Sequence, residues 1–155
     1  MVTNETFFQI FGHISVFFAT WDFFVTTIIT RLVCPDRINL KRLEGATLGQ
    51  KLHYLQDVGE EDTVNPELFR RLQAALPKAL KIAEMRNRFI HDLWKFAPED
   101  VNRGAIERHT LRLGQLDSGV TFEFVLERFS LEQLHEFLAE IGEQQLVFCE
   151  FLSVL

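Results

Sequence analysis

The feature that most constrains the fold is a long apolar segment near the start of the chain, residues 6–32, which contains no proline and one glycine, Gly12. Its length and near-continuous apolarity predict a helix that is buried on most sides. A transmembrane helix is the alternative. The segment carries several threonines and Asp22, however, and a charged side chain near the middle of a membrane span costs about 2.5–3.5 kcal/mol. We therefore expect the core helix of a protein that does not cross a membrane.

Capping patterns divide the middle of the chain into further helices. Thr47 opens a capping box and therefore predicts the start of a short second helix. Asn65, followed by Pro66, predicts the start of a third helix that runs to about Phe96. Pro77 lies inside this third helix, and we expect it to kink the helix or break it in two, because proline cannot donate the backbone hydrogen bond.

The period of the apolar residues changes from helical to alternating at about residues 109–129, with a turn predicted at Asp117-Ser118-Gly119. This pattern predicts a β-hairpin. Ser130 then caps a final helix. The fold class predicted from the sequence is all-α: a bundle of four to five helices forming a single domain, residues 1–155, with the β-hairpin inserted before the last helix.

Charge is unevenly distributed along the chain. The net charge of −6 argues against non-specific nucleic-acid binding through the whole surface. Residues 70–112, however, carry ten lysines and arginines against five acidic residues. A solvated helix face is the simpler interpretation of this basic segment. A local site for an anionic partner is the other.

Neither a cofactor nor a metal ion is expected from the sequence motifs. No glycine-rich phosphate loop is present, and Cys34 and Cys149 do not have the spacing of metal ligands. No secretion signal precedes the first helix, so we expect a cytoplasmic protein whose two cysteines are reduced and packed.

The stretch R-N-R-F-I-H, residues 86–91, places polar side chains where a helix should be apolar. At about 100° per residue, Arg86 lies at the centre of an apolar arc, and Asn87 and His91 lie together on one margin, about 100° and 140° away. A guanidinium that faces a core is costly unless it is paired or opens onto a polar crevice. The arc around Arg86 comprises Ala79, Ile82, Ala83, Phe89, Ile90 and Leu93.

Asp22 is the matching exception in the first helix, since it lies between Trp21 and Phe23. Two interpretations are open. Asp22 forms a buried ion pair with Arg86 that only sets the register of two helices, or it is a supporting residue that orients Arg86 or His91 beside a substrate.

The R-N-x-x-x-H pattern near the end of a bundle helix resembles the HEPN domains (higher eukaryote and prokaryote nucleotide-binding). Their signature is an arginine and a histidine separated by four to six residues; here four residues separate Arg86 from His91. The order of helices is also similar. The resemblance covers most of the chain as architecture and about six residues as a motif.

The resemblance implies an all-α fold, homodimerisation and metal-independent RNA cleavage, with Arg86, His91 and Asn87 as catalytic residues. Attack of a ribose 2′-hydroxyl on the adjacent phosphate requires a base, an acid and a cation. His91 can serve as base or acid, and Arg86 can bind the phosphate. One histidine cannot easily act on both sides of the phosphorus, so we expect a composite site at a dimer interface.

Several functions are compatible with this resemblance. A ribonuclease, including a toxin or defence-type effector with a cognate antitoxin or regulatory protein, is the favoured one. Some toxin members carry a modifiable tyrosine two residues after the histidine, where this chain has Leu93. A non-catalytic dimerisation module and a small-nucleotide binder are the alternatives. Trp94 and Phe96, beside the motif, are expected to pack, with base stacking as the alternative role.

Overall fold

The computed structural model describes the backbone of residues 2–116 and 119–155, and the side chains of these residues except 87, 88, 90, 91 and 111–123. Within this part of the chain the fold is mostly helical with a small antiparallel sheet. The helices are α1 (Asn4–Leu32), α2 (Leu40–Leu43), α3 (Leu48–Asp57), α4 (Pro66–His91), α5 (Pro98–Asn102) and α6 (Leu131–Ser153). The strands are β1 (Leu93–Lys95), β2 (Ala105–Leu116) and β3 (Gly119–Ser130).

Helix α1 is the central element of the core, as its apolarity predicts. It packs along α6 and also contacts α3. By length and composition α1 could also cross a membrane. In the structure it contributes nine buried residues, among them Phe7, Phe18 and Trp21, and the Trp21 ring lies 5.5 Å from that of Phe148 in α6.

The predicted helix starts are confirmed because their capping groups are local. The Thr47 hydroxyl accepts a hydrogen bond from the backbone N–H of Gln50 at the start of α3. The side-chain oxygen of Asn65 accepts one from the N–H of Leu68 at the start of α4. The Ser130 capping box of α6 is likewise formed.

The extent of α4 differs from the prediction in one respect. Of the two outcomes expected at Pro77, a kink or a break, the break does not occur, because the helix continues through Pro77 as one element. The expected end at Phe96 is wrong, since the helix ends at His91. Residues 93–95 form β1, because their backbone pairs with β2, with Leu93 opposite His109. The described residues therefore form six helices, where four to five were expected, and a three-stranded sheet, so the all-α prediction holds only in the sense that helices predominate.

The predicted hairpin is present and longer than expected. Strands β2 and β3 pair from Ala105 opposite Ser130 to Leu116 opposite Gly119. The predicted turn residues 117 and 118 lie outside the described residues. One face of the sheet packs on the helices through Ile106 and Arg108, which are 0% and 6% exposed.

The opposite face of the sheet is mixed, since Glu107 forms ion pairs on it with Lys95 and Arg128 beside exposed apolar side chains. It carries Leu93, Phe124 and Leu126, which are 71%, 76% and 64% exposed.

Both cysteines are free thiols, as expected. Cys149 is exposed, so its predicted packing is wrong, and Cys34 is half-buried.

Candidate functional site

Arg86 lies on the apolar face of α4, as the helical spacing predicts. Of the neighbours on the predicted arc, Ala79, Ile82, Ala83 and Phe89 are all buried. The guanidinium carbon of Arg86 is 5.4 Å from the centre of the Phe18 ring in α1, which is within the range of a cation–π interaction. An arginine is thus held between two apolar helices by an aromatic ring on one side.

The guanidinium side of Arg86 opens onto a polar crevice with a volume of about 370 Å³, which we call the Arg86 crevice. It lies between α1, α4 and the segment that leads into α3. Its lining residues are Ser15, Phe18, Ala19, Asp22, Gly45, Ala46, Thr47, Leu48 and Arg86. The sequence predicts that an arginine facing the core needs an ionic partner or a polar crevice, and the structure contains such a crevice.

Asp22 lies in the Arg86 crevice, and its ion-pair partner is Lys51 of α3. The Lys51 Nζ atom donates to the Asp22 carboxylate at 2.7 Å and to the Thr26 hydroxyl at 3.0 Å. The side chain of Lys51 is 13% exposed and that of Asp22 is 36% exposed. Sequence analysis did not identify Lys51. The available signal was its position at the edge of the Leu48, Leu52 face of α3.

The crevice can bind an anionic ligand through Arg86. Its described lining contains one cation, Arg86, and one carboxylate, Asp22, and Lys51 of α3 pairs with that carboxylate from outside the lining. Burial lowers the pKa of the Arg86 guanidinium, while the negative charge of Asp22 acts in the opposite direction and raises it. Arginine nevertheless stays charged in proteins, and a bound phosphate would offset the loss of hydration that burial imposes on it.

Asn87 and His91 share α4 with Arg86 at backbone level. Their side chains lie outside the described residues, so their predicted alignment along one margin of α4 stays a prediction.

A second charged cluster, also missed by sequence analysis, anchors the end of α4. Arg108 of β2 is 6% exposed, its Nε atom is 3.5 Å from an oxygen of Asp92, and it also pairs with Glu127 of β3. Its guanidinium lies 5.7 Å and 5.0 Å from the ring centres of Phe89 and Phe129. Because Asp92 directly follows His91, this cluster ties the end of the motif helix to the sheet.

The described side chains include no group of three or more His, Cys, Asp or Glu residues that could hold a metal ion.

Comparison with protein-family models, with curated proteins and with solved structures finds no match for this chain.

Proposed function

We propose that the protein is a HEPN-like, metal-independent endoribonuclease that acts as a homodimer in the cytoplasm. In this proposal it is a toxin or defence-type effector, and an antitoxin or another regulatory protein controls it. The observation that carries this proposal is Arg86, an arginine on the buried face of α4 that lines a polar crevice in which the carboxylate of Asp22 is paired with Lys51. It lies one and a half turns before His91 on the same helix, in the spacing of the HEPN motif.

In the proposed reaction the ribose 2′-hydroxyl attacks the adjacent phosphorus. A base removes the 2′-hydroxyl proton, a new O–P bond forms, and the bond from phosphorus to the 5′-oxygen breaks. An acid supplies a proton to that leaving oxygen, so the products are a 2′,3′-cyclic phosphate and a free 5′-hydroxyl. We assign His91 to proton transfer and Asn87 to positioning, with the second His91 supplied by the other subunit.

Arg86 has the electrostatic role in this proposal. Its planar guanidinium can donate two parallel hydrogen bonds to phosphate oxygens, and the negative charge that grows on them strengthens these bonds. The Phe18 ring lies within cation–π distance of the guanidinium and restricts the space open to it. Asp22 acts on Arg86 electrostatically, and Lys51 pairs with the same carboxylate and offsets part of its charge.

The test is RNA cleavage by pure protein in EDTA, with growth of expressing cells as a second measurement. We expect His91→Ala to lower the cleavage rate by about 10²- to 10⁴-fold, the usual contribution of a general acid or base. His135→Ala, a change at an exposed histidine on α6, is the matched control and should cleave at the wild-type rate. Intact RNA with the wild-type protein over a range of protein and salt concentrations would refute the proposal.

Substitutions at Arg86 separate its structural role from its catalytic one. Arg86→Lys keeps the charge and loses the paired hydrogen bonds, so we expect a folded protein with strongly reduced cleavage. Arg86→Ala that remains folded and inactive supports phosphate contact. Unfolding of Arg86→Ala together with full activity of Arg86→Lys would instead indicate a charge that only sets helix packing.

A non-catalytic interaction module is the second candidate, and the exposed sheet face favours it. Leu93, Phe124 and Leu126 are exposed apolar side chains on the face of the sheet opposite to Ile106 and Arg108, beside the charged pair of Glu107 and Arg128. If this surface carries the function, Leu126→Ser should abolish self-association or partner binding, whereas substitutions at Arg86 and His91 should leave both unchanged.

A further inference from the structure

A second cavity lies beside the Arg86 crevice, at the N-terminal half of α1. It has a volume of about 320 Å³, and we call it the aromatic groove. The end of α4, strand β1 and the residue after it form its other side. It is lined by Phe8, Phe11, Ile14, Ser15, Phe89, Trp94 and Phe96.

The rings of the aromatic groove hold one another in place. Phe11 and Trp94 have ring centres 4.9 Å apart, and those of Phe8 and Phe96 are 5.0 Å apart. The indole N–H of Trp94 donates to the backbone carbonyl of Phe89 at 2.8 Å, which fixes the orientation of the ring. Phe8 is 58% exposed. A largely exposed ring beside a fixed set of rings is a suitable surface for a planar aromatic ligand.

The aromatic groove and the Arg86 crevice adjoin each other, because Ser15 lines both. Arg86 faces Phe18, and three residues later on α4 Phe89 faces Phe11. Phe18 and Phe11 are seven residues apart on α1, which corresponds to about 10 Å along the helix axis. The cation and the aromatic rings are thus arranged along one face of α1.

The two neighbouring sites differ in the chemistry that they can bind. The lining of the Arg86 crevice includes a guanidinium, which suits a phosphate, and the carboxylate beside it is paired with Lys51. Among the residues whose side chains are described, the lining of the aromatic groove contains no charged residue, and four of these seven residues are phenylalanines. A single-stranded nucleic acid combines both parts, since its phosphates alternate with flat bases that stack on aromatic side chains.

We propose that the aromatic groove binds an unpaired base of an RNA strand whose neighbouring phosphate lies at Arg86. This inference rests on the proposed ribonuclease function and adds a binding site to it. Stacking tolerates any base, because every base has a π-face, so the groove selects single-stranded RNA and not a particular sequence.

The test uses His91→Ala protein, which binds without cleaving, and a short fluorescein-labelled single-stranded RNA in EDTA. Fluorescence anisotropy gives the dissociation constant for this RNA and for the same RNA with one abasic position. Phe8→Leu is added to the His91→Ala background, because it removes an exposed ring while keeping an apolar side chain. Phe23→Leu is the matched control, since Phe23 is another exposed phenylalanine of α1 that does not line the groove.

We expect Phe8→Leu to weaken binding of the intact RNA by about 5- to 150-fold, the effect usually found when a stacking ring is removed. The same substitution should have a much smaller effect on the abasic RNA, and Phe23→Leu should have none. Equal binding by Phe8→Leu and Phe23→Leu, or undetectable RNA binding by the parent protein, would overturn the inference.

The two proposals can fail separately in this design. Base-dependent binding at Phe8 without cleavage by the wild-type protein supports the groove and refutes the ribonuclease. Cleavage by the wild-type protein with equal affinity of Phe8→Leu and Phe23→Leu for RNA supports the ribonuclease and refutes the groove.

Discussion

Replacement of Arg108 by methionine is expected to destabilise the protein strongly, although this residue lies outside the proposed catalytic motif. Arg108 is buried beside the rings of Phe89 and Phe129 and pairs with Asp92 and Glu127. Methionine has a similar length and fills much of the same space, but it removes the positive charge. The substitution therefore tests the charge more than the packing.

The expected magnitude follows from the burial of the partners. Breaking a buried ion pair by removing one partner costs about 3–5 kcal/mol, because a charge is left without compensation in a poorly solvated place. The side chain of Asp92 is only 13% exposed, so the cost of leaving it unpaired should approach this range. The cost is reduced because Asp92 keeps a hydrogen bond from Thr110 at 2.9 Å. The side chain of Glu127 is 38% exposed and can be hydrated, so the loss of its ion pair with Arg108 adds little to the destabilisation. We expect a decrease of about 3 kcal/mol in the free energy of unfolding, which at about 2–4 °C per kcal/mol lowers Tm by about 6–12 °C.

Urea denaturation followed by circular dichroism measures this change. Arg103→Met, at an exposed arginine before β2, is the control and should change the free energy of unfolding by no more than about 0.5 kcal/mol. Combining Arg108→Met with Asp92→Asn should restore part of the stability, because the second substitution removes the stranded charge. A loss below about 1 kcal/mol for Arg108→Met, or strict additivity of the two substitutions, would show that the cluster does not anchor the end of α4 electrostatically.

Three further substitutions test other parts of the structure. Asp22→Asn removes the carboxylate between Lys51 and Arg86, so RNA should bind more tightly. The slope of log K against the logarithm of the salt concentration, measured by anisotropy, should be steeper by about 0.7, and an unchanged slope would contradict the charge assignment. Gly104 has a φ of +72°, a left-handed backbone conformation that is unfavourable for a residue with a Cβ atom. Gly104→Ala should therefore reduce the free energy of unfolding in urea by about 1–2 kcal/mol, and a fully stable variant would contradict this. Ser130→Ala should cost about 1 kcal/mol in the same assay, because the hydroxyl caps α6; no change would mean that water replaces the cap.

The start points of the long helices could be predicted from the sequence because the interactions that create them are local. The hydroxyl of Thr47 and the amide of Asn65 each bond to a backbone N–H three residues later. No distant part of the chain is needed for such a bond, so the pattern in the sequence is sufficient.

The end of α4 could not be predicted, because distant residues decide it. Residues 93–95 follow the apolar period of the helix, yet they pair with β2 and leave Leu93 exposed. Asp92, the residue before the strand, binds Arg108 and Thr110 of β2. Here, contacts between residues that lie more than a dozen positions apart in the sequence outweigh the local helical pattern.

The sequence by itself determined that Arg86 lies on the buried face of a helix, since that position follows from helical periodicity alone. Only the tertiary structure decided what surrounds it. Asp22, which the sequence analysis set beside Arg86, lies in the same crevice and acts on it electrostatically, but it also forms an ion pair with Lys51 from a third helix, and the Phe18 ring lies within cation–π distance of the guanidinium. Periodicity gives the direction of a side chain on its own helix, whereas its neighbours depend on how three helices pack together.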